Sequence, residues 1–174
     1  MRDPPFRRQW RRRDAGRRAV AALFSGVTAS GNGAAGIHVA PTGAASVNGV
    51  IASGATNGQV AGIFLDASQT TGSVGVSVVG GVAEGDQVAF KAVTSAAWAN
   101  ATMLLDHVVA SDNGDGVATT GFALARITKS TLSRNGNGAH IIGAGGGIAS
   151  AGDNFMAGNG VDVAGGTLTN VGLK

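Results

Sequence analysis

One pair of residues, asparagine followed by glycine, recurs along this chain at a spacing that leaves few folds open. It stands at Asn32-Gly33, Asn57-Gly58, Asn113-Gly114, Asn135-Gly136 and Asn159-Gly160, with a degraded copy, Glu84-Gly85-Asp86, in the long gap. Anchored on Gly33, Gly58, Gly85, Gly114, Gly136 and Gly160, every interval falls in the twenties, the longest from Gly85 to Gly114 and the shortest from Gly114 to Gly136. Shortly after each anchor comes an aliphatic residue: Ile37, Ile63, Val88, Val117, Ile141 and Val163. Consecutive hairpins would place turns about 8–12 residues apart. A period in the twenties, carried by turn residues and short apolar strings, belongs to a solenoid.

A coil of β-strands turns sharply several times per revolution, and some turn positions need positive φ. Glycine reaches that region without a steric penalty, and asparagine tolerates it better than most residues. If the coils stack in register about 4.8 Å apart, the asparagines fall into one column. Their amides can then hydrogen-bond along it as a structural ladder. The sequence therefore predicts an all-β chain, a right-handed parallel β-helix of five to six coils. Residues 19–174 form its domain, with recognisable coils from residue 25. Within it Val74, Val76 and Val78 alternate as a half-buried strand does. Residues 94–102 read as a longer loop carrying Trp98, and Phe155 with Met156 as the plug of the last coil.

Composition agrees. Glycine at 30 residues would suggest disorder without a period, but 44% of the chain is hydrophobic, and Ala, Val and Gly suit a narrow coil interior. With no cysteine there is neither a disulfide nor a thiolate metal site. No run of 18 apolar residues is present, so nothing reads as a helix crossing a bilayer.

The net charge of +3 conceals two halves. Residues 1–18 hold eight arginines and two aspartates, a balance of +6, and the rest of the chain stands at −3. Four readings of this basic tail compete: a disordered extension or misplaced start, an export signal running into residues 19–24, an arm for nucleic acid or an anionic membrane surface, and a helical plug. No cap precedes the first coil. The chain thus reads as the closing part of a longer solenoid, or as one that self-associates through its open first coil.

The stretches Arg126-Ile-Thr-Lys-Ser-Thr-Leu-Ser-Arg-Asn-Gly136 and Gly147-Ile-Ala-Ser-Ala-Gly-Asp-Asn-Phe-Met-Ala-Gly-Asn-Gly160 resemble the strand–turn–Asn-Gly coils of bacterial right-handed β-helix proteins of the pectate-lyase-like superfold. Within it the likeness is greatest to uncharacterised, often secreted β-helix-repeat proteins of proteobacteria, and it covers about 150 residues. It implies a secreted or envelope protein. It also implies the site type of carbohydrate-active members, an acidic cluster with arginine or lysine on an exposed sheet.

Candidates for such a site follow from the spacing. Asp86 and Asp115 come immediately after their anchors, which would put two carboxylates on neighbouring coils to share a proton or a cation. Asp112, Lys129 and Arg134 fall on successive coils and form a possible acid-and-base groove. Asp153 and Asp162 read as turn and edge residues. His38, His107 and His140 read as sharing no column and lack metal-ligand spacing, so no metal or cofactor is expected. Paired aspartates with Gly-His-Gly, as in glycosidases of this superfold, are absent, as are tandem calcium-roll nonapeptides. The function expected is a non-catalytic structural or surface-binding module. The alternative is a lyase or hydrolase acting on an acidic polysaccharide through Asp86, Asp112, Asp115 and Arg134.

Overall fold

In the computed structural model, residues 19–43, 46–58, 60–95 and 99–172 are described, and no helix occurs among them. The arginine-rich tail and Trp98 lie outside these residues, as do the readings that rest on them. The strands in chain order are β1 (Ala19–Asn32), β2 (Ala35–Val39), β3 (Ser46–Gly58), β4 (Ala61–Asp66), β5 (Ser73–Glu84), β6 (Val88–Thr94), β7 (Asn100–Asp106) and β8 (Val109–Ser111). They continue with β9 (Asp115–Gly121), β10 (Leu124–Thr128), β11 (Thr131–Ser133), β12 (Asn137–Ile142), β13 (Gly147–Ser150), β14 (Phe155–Ala157), β15 (Val161–Ala164) and β16 (Thr169–Asn170).

Every pairing between these strands is parallel, which makes the chain a parallel β-solenoid. One sheet has six strands, β2-β4-β6-β9-β12-β15; the other has ten and contains the remaining strands. Four of the six levels in the smaller sheet have a neighbour on both sides. The solenoid thus amounts to about four turns, and not the five to six coils counted from the anchors, because the outer levels pair on one side only.

The interior is built from rows of residues that repeat coil by coil. Ile37, Ile63, Phe90, Val117, Ala139 and Val163 form one row across the six-stranded sheet. Facing it, Val76, Met103, Ala125 and Ile148 form another. Val74, Val76 and Val78 all point inward, and Phe90 is the largest fully buried side chain. The two residues assigned to plug the last coil separate. Met156 packs against the core, while Phe155 points outward and is 62% exposed. Strand alternation allows only one of two adjacent residues to face in. The expected loop at 94–102 is also shorter, since β6 runs to Thr94 and β7 starts at Asn100.

Coil length changes most at one corner. The offset between register partners is 27 from β5 to β7 and from β6 to β9 (Val74↔Ala101, Val88↔Asp115). It falls to 22 from β7 to β10 and from β9 to β12 (Thr102↔Leu124, Asp115↔Asn137). The difference arises where the smaller sheet hands over to the larger one: between the pairs Thr94↔Gly121 and Thr102↔Leu124, residues 95–101 are matched by 122 and 123 alone.

Two other corners carry positive φ. At one, Gly80 (+68°), His107 (+54°), Lys129 (+46°) and Gly152 (+84°) follow one another up the stack. At the other stand Gly85 (+73°), Asp112 (+59°), Arg134 (+56°) and Gly158 (+69°). A side chain in the left-handed region costs about 1–2 kcal/mol. Lys129→Gly is therefore expected to stabilise the fold by about 0.5–1 kcal/mol, since the Lys129 bond to Asp153 runs from its backbone N–H and survives. A raised urea midpoint would show this. An unchanged or lowered midpoint would mean the corner is not strained.

Candidate functional site

The ladder occupies the corner that follows the second positive-φ column. The Asn113 Nδ2–H donates to Asn135 Oδ1 at 2.9 Å, and the Asn135 Nδ2–H donates to Asn159 Oδ1 at 3.1 Å. The same oxygens accept the backbone N–H of Asn113 (3.1 Å) and of Asn135 (3.0 Å). Each amide also donates to a carbonyl of the preceding coil: Asn113 to Ala83, Asn135 to Ala110 and Asn159 to Leu132. Each asparagine thus ties three backbone segments together.

The glycines of the pairs serve another purpose than the one expected. It is the residue before each ladder asparagine that has positive φ: Asp112, Arg134 and Gly158. Gly114, Gly136 and Gly160 are required by stacking, since a Cβ on them would lie 2.5, 2.6 and 2.7 Å from the carbonyl oxygens of Gln87, Gly114 and Gly136. Gly116 and Gly138 face the ladder itself, where a Cβ would meet the amides of Asn135 and Asn159 at 3.0 and 2.9 Å.

This geometry resets the degraded repeat. Gly85 aligns with Asp112 and not with Gly114, and Asp86 takes the place of a ladder asparagine: its backbone N–H donates to Asn113 Oδ1 at 2.9 Å. The row that includes Ala29, Thr56, Ala83, Ala110, Leu132 and Met156 runs in register through the stack. Counting three positions on from it gives Asp86, Asn113, Asn135 and Asn159 as equivalents in the later coils. The Asn57-Gly58 pair therefore falls early, and its side chain lies outside the described ones. In the first coil the register shifts between Ala29 and Asn32, so that Asn32 stands opposite Gly58.

The proposed Asp86–Asp115 pair does not form. Asp86 is buried in the ladder corner, 4% exposed, whereas Asp115 opposes Val88 and Asn137. Asp115 Oδ1 accepts from Asn137 Nδ2 at 2.7 Å, and Oδ2 lies 3.0 Å from His140 Nδ1.

Asp112 and Arg134 do meet, as a bidentate pair at 2.9 and 2.6 Å on the exposed corner, with Glu84 beside them. The Arg134 hydrogen bond is the main cause that holds the Asp112 carboxyl below the usual carboxylate range, and Asp112 in turn raises Arg134. Lys129 sits at the other corner, separated from Arg134 by β11, so the three-residue groove is not assembled. There Asp153 accepts from the Lys129 backbone N–H and the Thr128 hydroxyl. These bonds, the first above all, lower its pKa. Asp162 accepts from Asn159 Nδ2 at the edge.

Both lowered carboxylates act in the same direction. Their contribution to stability is full above the unfolded value of about pH 4 and is lost as pH falls through the lower folded values. The melting temperature is expected to hold steady down to about pH 5 and decline below about pH 4. The decline should be shallower in Asp112→Asn/Asp153→Asn. An equally steep acid limb in that double variant would place the acid lability elsewhere.

The spacing argument missed a row on the outer face of the smaller sheet. His38, Phe64, Lys91, Ala118, His140 and Ala164 are register partners in succession. His38 and His140 thus do share a column, with Phe64, Lys91 and Ala118 between them. The His38 and Phe64 rings stack 4.7 Å apart with 4° between planes, and Lys91 Nζ lies 5.1 Å from the Phe64 ring centre. Asp66 stands 3.9 Å from His38, and His107 pairs separately with Asp106 at 2.7 Å. The row could have been found by taking the residue after each inward one: Ile37, Ile63, Phe90, Val117 and Ala139. On the larger sheet Leu124, Arg126, Gly147, Ala149, Thr169 and Val171 line a shallow depression. Among the described residues no three His, Asp or Glu side chains come together as metal ligands, and no helix is long and apolar enough to cross a membrane.

No family model matches the chain, and neither the curated proteins nor the solved structures contain a significant match.

Proposed function

We propose that the chain is a non-catalytic β-helix module that binds a surface or polymer through the outer face of its six-stranded sheet. The observation that carries this reading is the His38–Phe64–Lys91–Ala118–His140 row with Asp115 beside it. It presents a stacked pair of rings, a cation and an oriented imidazole on one regular face. Aromatic platforms with a neighbouring cation suit flat, polar and anionic ligands. The four residues that would carry a polysaccharide lyase or hydrolase occupy three separate places: Asp86 inside the ladder corner, Asp112 with Arg134 on the outer corner, and Asp115 against His140. The resemblance to secreted bacterial β-helix proteins supports an extracellular or envelope setting for such a module.

Titration of the protein with polygalacturonate and with a neutral polysaccharide tests the reading. Binding should weaken about tenfold in Phe64→Ala and remain unchanged in Asp112→Ala. Unsaturated or newly reducing ends that accumulate with wild type and disappear in Asp112→Ala or Asp115→Ala would replace it with the carbohydrate-active alternative.

A further inference from the structure

The two ends of the solenoid are built differently. At the C-terminal end the edge strands β14, β15 and β16 are only 3, 4 and 2 residues long, with Asp153 and Asp162 beside them. Short strands and carboxylates are how natural proteins keep sheet edges from recruiting other chains. The N-terminal edge has none of this. β1 is 14 residues long, and among the described strands it pairs with β3 only, while β2 pairs with β4 only. No Asp, Glu, Lys or Arg occurs from residue 19 to residue 65, and β1 contains no proline. The interior is also cut open at this end. Val20 and Phe24, in the rows of the fully buried Val74 and Val78, are 49% and 37% exposed.

We infer that this end is a self-association surface, and that its occupant is the same end of a second copy. The partner edge must be long and uncharged to match β1, and the opposite end of the molecule offers neither property. Head-to-tail stacking is therefore disfavoured. A two-fold axis through the centre of β1 would instead pair the two β1 strands antiparallel and set the two β2 strands edge to edge. Both sheets would then continue across the interface, and the open cores would close on each other. Such pairing supplies up to about ten hydrogen bonds, the number found in ordinary interfaces. It is isologous, so it stops at the dimer and does not propagate into fibres. The eight arginines of each chain precede residue 19, and antiparallel pairing sets the two Ala19 ends of β1 at opposite ends of the seam. The inference does not depend on what the outer face of the smaller sheet binds.

Sedimentation velocity of the full chain over a range of concentrations, with single cysteines placed in a chain that has none, tests this directly. A monomer–dimer equilibrium is expected. Under oxidation, Cys at Ala21, Leu23, Ser25 or Thr28 should form disulfide dimers most strongly near the strand centre and less on either side, as an antiparallel dyad requires. Val20→Lys/Phe24→Lys should retain the β-sheet circular dichroism spectrum and weaken the dimer roughly 100-fold. A monomer at every concentration, including one with β1 covered by residues 1–18, would overturn the inference. So would polymers of mixed length, dimers that no single cysteine cross-links, or a dimer indifferent to the two lysines.

Discussion

Asn135→Ala is expected to destabilise the protein by about 3–5 kcal/mol, more than any other substitution in the ladder. Asn135 is buried and lies between two other asparagines. Its removal leaves the Asn113 backbone N–H, one Asn113 amide proton and the Ala110 carbonyl without their partners. Each buried group so orphaned costs about 1–3 kcal/mol, reduced where water can enter. The comparison that makes the result interpretable is Asn159→Ala at the exposed end of the ladder, expected to cost roughly half as much. Urea unfolding of the two variants measures both. Equal losses would mean that each asparagine acts only as a local turn residue and that the column adds nothing.

Phe90→Ala should cost about 3–5 kcal/mol through lost burial and the cavity left behind. The ring is 0% exposed and sits in the row between Ile63 and Val117. A solenoid interior has little freedom to collapse into that cavity, because the coils on either side hold the backbone at fixed spacing. Phe155→Ala, on an outward position, should change stability by less than about 1 kcal/mol. The paired measurement separates coil filling from surface decoration. A loss at Phe155 matching that at Phe90 would restore the view that Phe155 plugs the last coil.

The solenoid was legible because its two causes are local and repeat: an apolar string that must face inward, and a turn that must close. Much of the ladder was legible for the same reason. What misled was that glycine meets two different needs. Gly85 supplies a left-handed backbone, whereas Gly114 gives room for the carbonyl of the next coil. A sequence shows the same letter for both. Anchoring on Gly85 put its coil out of phase, lengthened the interval to Gly114 and set Asp86 beside Asp115. Anchoring on Asp86 instead gives an offset of 27 to Asn113, the one that the strands keep. The outer row from His38 to His140 was missed for another reason. Its members are related only through strand register, and the register offset drops from 27 to 22 at a corner without a motif.

That corner separates two properties that most folds couple. The pitch of the stack is set by backbone hydrogen bonds and is the same for every coil, while the circumference changes most where residues 95–101 give way to 122 and 123. Strands on both sides keep their partners through the change. The molecule thus behaves like a screw whose thread is constant while its perimeter varies, most of all at this point. Gains and losses of sequence at that point leave the lateral faces aligned, so the chain can acquire a new projection there while the row of side chains on the opposite sheet stays in place.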